Sequence, residues 1–301
     1  MKIGIIVWPT DYSLAVRDLA RLVEERGFES LFFPEHTHIP VSRRSPFPIG
    51  GDLPEPYIHN LDPFIAHAAA ATVTERLKLG TGICLVAQRD PISLAKVIAS
   101  LDYLSGGRVV LGVGGGWNVE EMENHRVPQA ERWEVVEEHV RALKAIWTHE
   151  AASFSGVHTR FDALWSWPKP VQQPYPPVLV GGITRSSVRR VLAFGDGWIP
   201  SLDGAVMPLL TRIDDFRGLC DTLGRAVPPI TVAFGFSRWA NREELEHLQA
   251  AGVERSLLAV PATTYPGTVK VLDEFASVAA PWLETSSLTV RSSLHRNLEE
   301  P

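Results

Sequence analysis

Apolar residues along this chain switch repeatedly between two spacings. Short apolar runs bounded by glycine or proline alternate with longer stretches in which apolar positions fall three or four apart, the signatures of buried strands and core-facing helices. Ile3-Gly4-Ile5-Ile6-Val7 predicts a first strand, and Leu14, Leu19, Leu22 and Val23 give one apolar face to a helix over about 11–26, stopped at Gly27. Ser30-Leu31-Phe32-Phe33 predicts a second strand, followed after an irregular stretch by a helix over 61–73 and a strand over 77–83. Asp90-Pro91 then supplies an N-cap and a first-turn proline, Leu94, Val97, Ile98, Leu101 and Leu104 keep helical spacing, and Gly106-Gly107 ends a helix over 91–105. A strand over 108–113 completes a strand-helix-strand crossover.

The second half keeps the rhythm. Trp133, Val136, Val140, Leu143 and Ile146 predict a helix from Pro128 to Trp147. Strands over 177–182, 197–199, 230–235 and 256–260 alternate with helices over 184–194 and 205–222, one opened by the Asn241/Glu244 capping pair, and one over 267–279. Two insertions interrupt. The first, 34–60, is rich in proline and aperiodic, which predicts an ordered loop over a site. The second, about 150–176, carries Phe154, Phe161, Trp165 and Trp167, too aromatic for a free linker. About eight strands alternating with about eight helices, without a break in composition, predict one (β/α)8 TIM barrel over 1–301 with insertions after strand two and before strand five. An open doubly wound sheet is the alternative, and residues 281–301 read as a polar tail.

Composition narrows the function. A formal charge of −6 over 301 residues, with no dense Lys/Arg patch, argues against nucleic-acid binding. No apolar run approaches a membrane span and no leader precedes the first strand, so a soluble, cytoplasmic protein without membrane contact is expected. Cys84 and Cys220 are too few for a disulfide framework or a zinc cluster.

Barrels place their chemistry at strand carboxyl ends, here Trp8, Glu35-His36-Thr37-His38, Gly82-Ile83-Cys84, Gly114 to Asn118, Gly181-Gly182 and Trp198. Paired acids and a Schiff-base lysine are scarce on this rim. His36 or His38 can move a proton near neutral pH. Either can equally satisfy loop backbone, and His-X-His beside Glu35 could begin a hydrolase metal centre, although no later strand end supplies further ligands. The run Gly112 to Trp117 fails the dinucleotide spacing, because Trp117 stands where the third glycine belongs. Gly181-Gly182-Ile183-Thr184-Arg185 ends a strand and opens a helix, so amides, a hydroxyl and a guanidinium would converge on a phosphate, with the turn at Gly195 to Trp198 beside them.

Taken in order, Phe33-Pro34-Glu35-His36, Leu79 to Ile83 followed by Asp90-Pro91, Leu104 to Arg108 leading into Gly112 to Asn118, Pro177 to Gly182 and Gly195 to Trp198 resemble the luciferase-like monooxygenase superfamily, more closely its coenzyme F420-dependent oxidoreductase branch. The resemblance runs from Lys2 to about Pro281. It implies a barrel binding a deazaflavin, or alternatively FMN, at its mouth, commonly as a homodimer, with a non-proline cis peptide near Gly82-Ile83 against the ring. Glu35, Gly82, Ile83, Cys84, Gly114, Gly115 and Gly116 would then approach the cofactor, and Gly181, Gly182, Arg185 and Gly197 would receive its phosphate. His36 would be the catalytic acid/base or ring-stabilising group, and Trp8, His38, Trp117 and Trp198 would border a small apolar or aromatic substrate. Trp117 replaces the catalytic glutamate of the family's sugar-phosphate dehydrogenases, so that role does not transfer. The implied activity is hydride exchange with the deazaflavin; the FMN alternative uses dioxygen and a separate reductase. A non-enzymatic flavin-storage protein would bind cofactor and turn nothing over.

Overall fold

A computed structural model describes residues 1–236 and 238–283. Nine parallel strands form a nearly closed barrel: β1 (Lys2–Val7), β2 (Ser30–Phe33), β3 (Lys78–Thr81), β4 (Val109–Val113), β7 (Val178–Gly181), β8 (Gly197–Ile199), β9 (Ser201–Leu202), β10 (Thr231–Phe234) and β11 (Arg255–Val260). β5 (Ala152–Ser155) and β6 (Arg160–Leu164) make a separate antiparallel hairpin. The open-sheet alternative is set aside by the ring of neighbours. β1 pairs with β11, β11 with β10, and β10 with β9, while Trp198 N–H on β8 donates to Pro229 O beside β10 at 2.9 Å. Pro200 alone separates β8 from β9, so the two share one barrel position; proline has no amide for the ladder there, but its carbonyl still accepts from Ala233.

The helices follow the alternation. They are α1 (Val16–Glu25), α2 (Pro56–His59), α3 (Pro63–Ala71), α4 (Pro91–Ser105), α5 (Val119–Asn124), α6 (Arg132–Thr148), α7 (Arg185–Phe194), α8 (Val206–Thr222), α9 (Arg242–Ala250) and α10 (Tyr265–Ala279). Four differences from the sequence expectation have local causes. α1 starts at Val16 because Thr10 and Ser13 exchange side-chain and backbone hydrogen bonds, holding 10–13 as a turn. α5 is an extra helix with Asn118 as its cap. The aromatic insertion folds as the β5–β6 hairpin, whose turn amides at Val157, His158 and Thr159 all donate to Glu138 of α6. β9 is an extra strand because the chain resumes pairing directly after Pro200. Of the tail expected from Pro281, residues 284–301 lie outside the described residues.

Strand alternation divides the core in two. Outward side chains pack under the helices as the main apolar layer, and Ile6, Phe32, Val110, Leu179, Ile199, Leu257 and Ala259 fill the barrel interior. The interior is tightest between β3 and β4, where a Cβ on Gly112 would sit 2.0 Å from the Thr81 carbonyl oxygen. Gly112→Ala should therefore cost about 2–3 kcal/mol of stability, read as a lowered denaturation midpoint. Gly204→Ala, where the added methyl meets open space, should stay within about 0.5 kcal/mol.

Candidate active site

At the carboxyl ends of the strands lies a cavity of 660 Å³. Trp8, His36, Gly82, Ile83, Gly116 and Trp117 line it together with Phe47 and Tyr57 from the 34–60 segment, which crosses the opening as an ordered loop. The Gly82–Ile83 peptide bond is cis, as the resemblance implied. Rings make most of the wall: Trp8 packs on Tyr57 at 4.4 Å and on Phe236 at 5.8 Å between centroids, and Phe47 meets Tyr57 edge-on at 5.2 Å. Such a lining favours flat apolar ligands. Burial, helped by Asp203, pushes the Tyr57 phenol up to about 12, so it enters the site as a neutral donor.

His36 is buried at the inner edge of this box. Its Nδ1 lies 2.7 Å from Glu121 Oε2, and the Trp117 indole N–H donates to its Nε2 at 3.1 Å. Glu121, also buried, accepts the Thr37 amide on its other oxygen at 3.0 Å. The preceding residue, Glu120, faces the loop and accepts from the amides of Arg44 and Ser45 and from the hydroxyls of Ser42 and Ser45. Burial alone would raise the Glu120 carboxyl, but these donors outweigh it and hold the group down to about 2.

Glu35 also borders the cavity, yet its oxygens are spent on the Leu85 amide and the Arg89 guanidinium, which also binds Asp62, the cap of α3. It fixes the turn after β3 rather than offering a free acid. Among the described residues no group of three or more His, Cys, Asp or Glu side chains is arranged to hold a metal.

Other expected site residues lie elsewhere. His38 is turned away from the cavity, with its ring nitrogens on Thr37 and Asn124. Cys84 is fully buried alongside the end of β4, bridged to Val113, and burial pushes its thiol up. A Cβ on Gly114 would meet Ile83 at 2.4 Å and one on Gly115 would meet the Trp133 ring at 2.9 Å. Those glycines admit neighbouring protein side chains, and of the three only Gly116 reaches the cavity. Gly197 stands level with Leu179 at the amino end of β8, so it belongs to the barrel's lower half and not to a phosphate cradle. Trp198 points outward from β8, packed edge-on against Phe216, with its N–H on the Gly182 carbonyl; it is a core residue and not a substrate wall.

The α7 start is better placed. Thr184 caps the helix through the Ser187 amide, and Gly181-Gly182 lead into it with Gly182 at φ +102°, a backbone that glycine accepts readily. Thr184, Arg185 and Arg212 face a second cavity of 560 Å³ that shares Ser201 and Asp203 with the first. Free helix-start amides beside two guanidinium groups suit an anion.

Residues 10–282 match the luciferase-like monooxygenase family. The chain belongs to that family. An uncharacterized protein of Mycobacterium tuberculosis is 43% identical over 203 residues, 66% of this chain and 72% of that protein. The FMNH2-dependent dimethylsulfone monooxygenase of Pseudomonas putida is 31% identical over 78% of this chain, which spans 61% of that protein. An F420-dependent secondary alcohol dehydrogenase superposes with a TM-score of 0.72 at 16% identity, covering 94% of this chain and 100% of that one, a likeness of fold. The family gathers oxidoreductases and monooxygenases, and no helix among the described residues is long and apolar enough to cross a membrane.

Glu120, Glu121, Phe47, Tyr57 and Arg212 escape a reading by strand ends, whereas Phe236 follows β10 as Trp8 follows β1 and was open to it. Asn118-Val119-Glu120-Glu121 carries the N-cap spacing of a short helix, but that spacing alone would send Glu121 back to its own cap and not across to His36.

Because folding depresses the Glu120 carboxyl, its tether contributes fully above about pH 4.5 and is lost as pH falls toward 2. Glu120→Gln, with one acceptor oxygen fewer, should release the 42–45 stretch at neutral pH. Trypsin should then cut at Arg43 or Arg44 at least about tenfold faster, at an unfolding midpoint lowered by no more than a few degrees.

Proposed function

We propose that this protein is an oxidoreductase that binds coenzyme F420 across the barrel mouth and exchanges a hydride with a small apolar or aromatic organic substrate. The observation that carries this reading is His36, a buried imidazole bordering an aromatic-walled cavity and joined to a buried carboxylate, which is equipment for moving a proton beside a redox ring. The cavities fit the cofactor. The larger has the size and lining for a tricyclic ring, with Gly82, Ile83 and Gly116 at its wall, and the adjoining one offers Thr184, Arg185 and Arg212 to an anionic tail. When bound, a deazaflavin accepts or gives a hydride at one ring carbon. The protein's share is positioning, water exclusion by the 34–60 loop, and proton transfer at His36 Nε2 once the Trp117 N–H moves aside.

A second reading is favoured by the 31% identity to the Pseudomonas enzyme: FMN in the same place, delivered in reduced form by a separate reductase and used with dioxygen. Titrating the purified protein with F420 and with FMN, followed by fluorescence, separates the two. Saturable F420 binding at micromolar concentration with at least about tenfold weaker FMN binding supports the first; the reverse order overturns it. His36→Ala should lower turnover by about 10²-fold or more while cofactor affinity stays within about threefold, and equal losses in both would make His36 a binding group only.

A further inference from the structure

We propose that Glu121 is a positioning residue that fixes the tautomer of His36, so that the resting imidazole keeps an unprotonated Nε2, capped by the Trp117 N–H, as its proton-accepting atom at the cavity wall. This rests on His36 being the proton-handling group, but the hydrogen-bond geometry stands without any cofactor. An indole nitrogen can only donate, so the Trp117 contact at 3.1 Å requires a lone pair on His36 Nε2. The ring proton then sits on Nδ1 and is donated to Glu121 Oε2 at 2.7 Å. Both carboxylate oxygens are needed: Oε1 accepts the Thr37 amide at 3.0 Å, and a backbone amide cannot reverse its role.

The rest of the setting keeps Glu121 in place. It lies in the first turn of α5, where Asn118 accepts its amide and the helix dipole favours negative charge. The charged and titratable groups around it are otherwise engaged. Glu120 beside it is committed to the 42–45 stretch, Glu35 is neutralised by Arg89, and the His125 ring reaches Thr37 Oγ1 at 2.7 Å. Tyr57 and Trp8 pack around the His36 ring at 5.4 and 6.1 Å between centroids. Within this shell Glu121 is the group that receives the Nδ1 proton.

A glutamine here has one acceptor and one donor end. With its oxygen held by the Thr37 amide, its NH2 would face His36 Nδ1, push the ring proton to Nε2 and oppose the Trp117 N–H.

The test reads the tautomer directly, in cofactor-free protein with 15N-labelled histidine rings. Long-range proton–nitrogen correlations are recorded at about pH 8, above the ordinary imidazole value of ~6.5, and the His36 signals are identified by their loss in His36→Gln. The wild type should show Nδ1–H; a proton on Nε2, in a neutral ring or an imidazolium, overturns the assignment. Glu121→Gln should move the proton to Nε2 and shift the Trp117 indole N–H signal, whereas Glu121→Asp should keep Nδ1–H. Retention of Nδ1–H in the glutamine variant overturns the positioning role. Trp117→Phe should leave the tautomer unchanged, and a switch there would transfer the role to Trp117. If Glu121→Gln does not fold, the wild-type and Trp117→Phe spectra decide. None of these readouts depends on which cofactor binds, so failure of the cofactor assignment would leave them standing.

Discussion

Two adjacent carboxylates at the start of a two-turn helix organise the mouth of this barrel. Glu120 collects the Ser42, Arg44 and Ser45 donors of the crossing loop, while Glu121 collects the Thr37 amide and the His36 ring where that loop begins. Without them the stretch from Pro34 to Asn60 would carry a large conformational entropy and few apolar contacts to offset it. Each charge-assisted hydrogen bond contributes about 1.5–3 kcal/mol, enough collectively to hold the loop over the aromatic box and set the imidazole at its edge. The aromatic contacts among Trp8, Phe47, Tyr57 and Trp117 depend on that placement.

The same device recurs where the fold departs from short strand-helix connections. Glu24 accepts the amides of Glu75, Arg76 and Leu77, and Asp102 accepts those of Val171 and Gln172. Asp196 receives the Val178 amide and the Lys144 ammonium. Acidic side chains on the frame thus collect backbone amides where elements join. It also gives the acidic residues of a net-negative chain internal work to do.

The barrel itself was legible because strands and helices have different apolar periods, and each kept its period: β2, α4 and β8 fall where the spacing put them. Legibility failed wherever the deciding partner was distant in sequence. Trp198 and Gly197 looked like rim residues because a three-residue strand reveals neither its height in the barrel nor which side chains point inward; the register against Leu179 and Gly181 sets the height, and the packing of Trp198 on Phe216 sets the direction. Gly114 and Gly115 signalled close approach, but not that the approaching groups are Ile83 and Trp133. His36 was readable from its strand-end position, whereas its partner Glu121 lies 85 positions along the chain in a helix too short to show periodicity.

The two cavities at the mouth have Ser201 and Asp203 in both their walls, so a carboxylate stands between the aromatic chamber and the cationic one. A molecule that reached from one to the other would pass this carboxylate, to which hydroxyl groups on its middle section would donate and from which a negatively charged middle section would be repelled. A single charge at that point would bias which connecting chain is tolerated, independently of what the ring or the tail contributes.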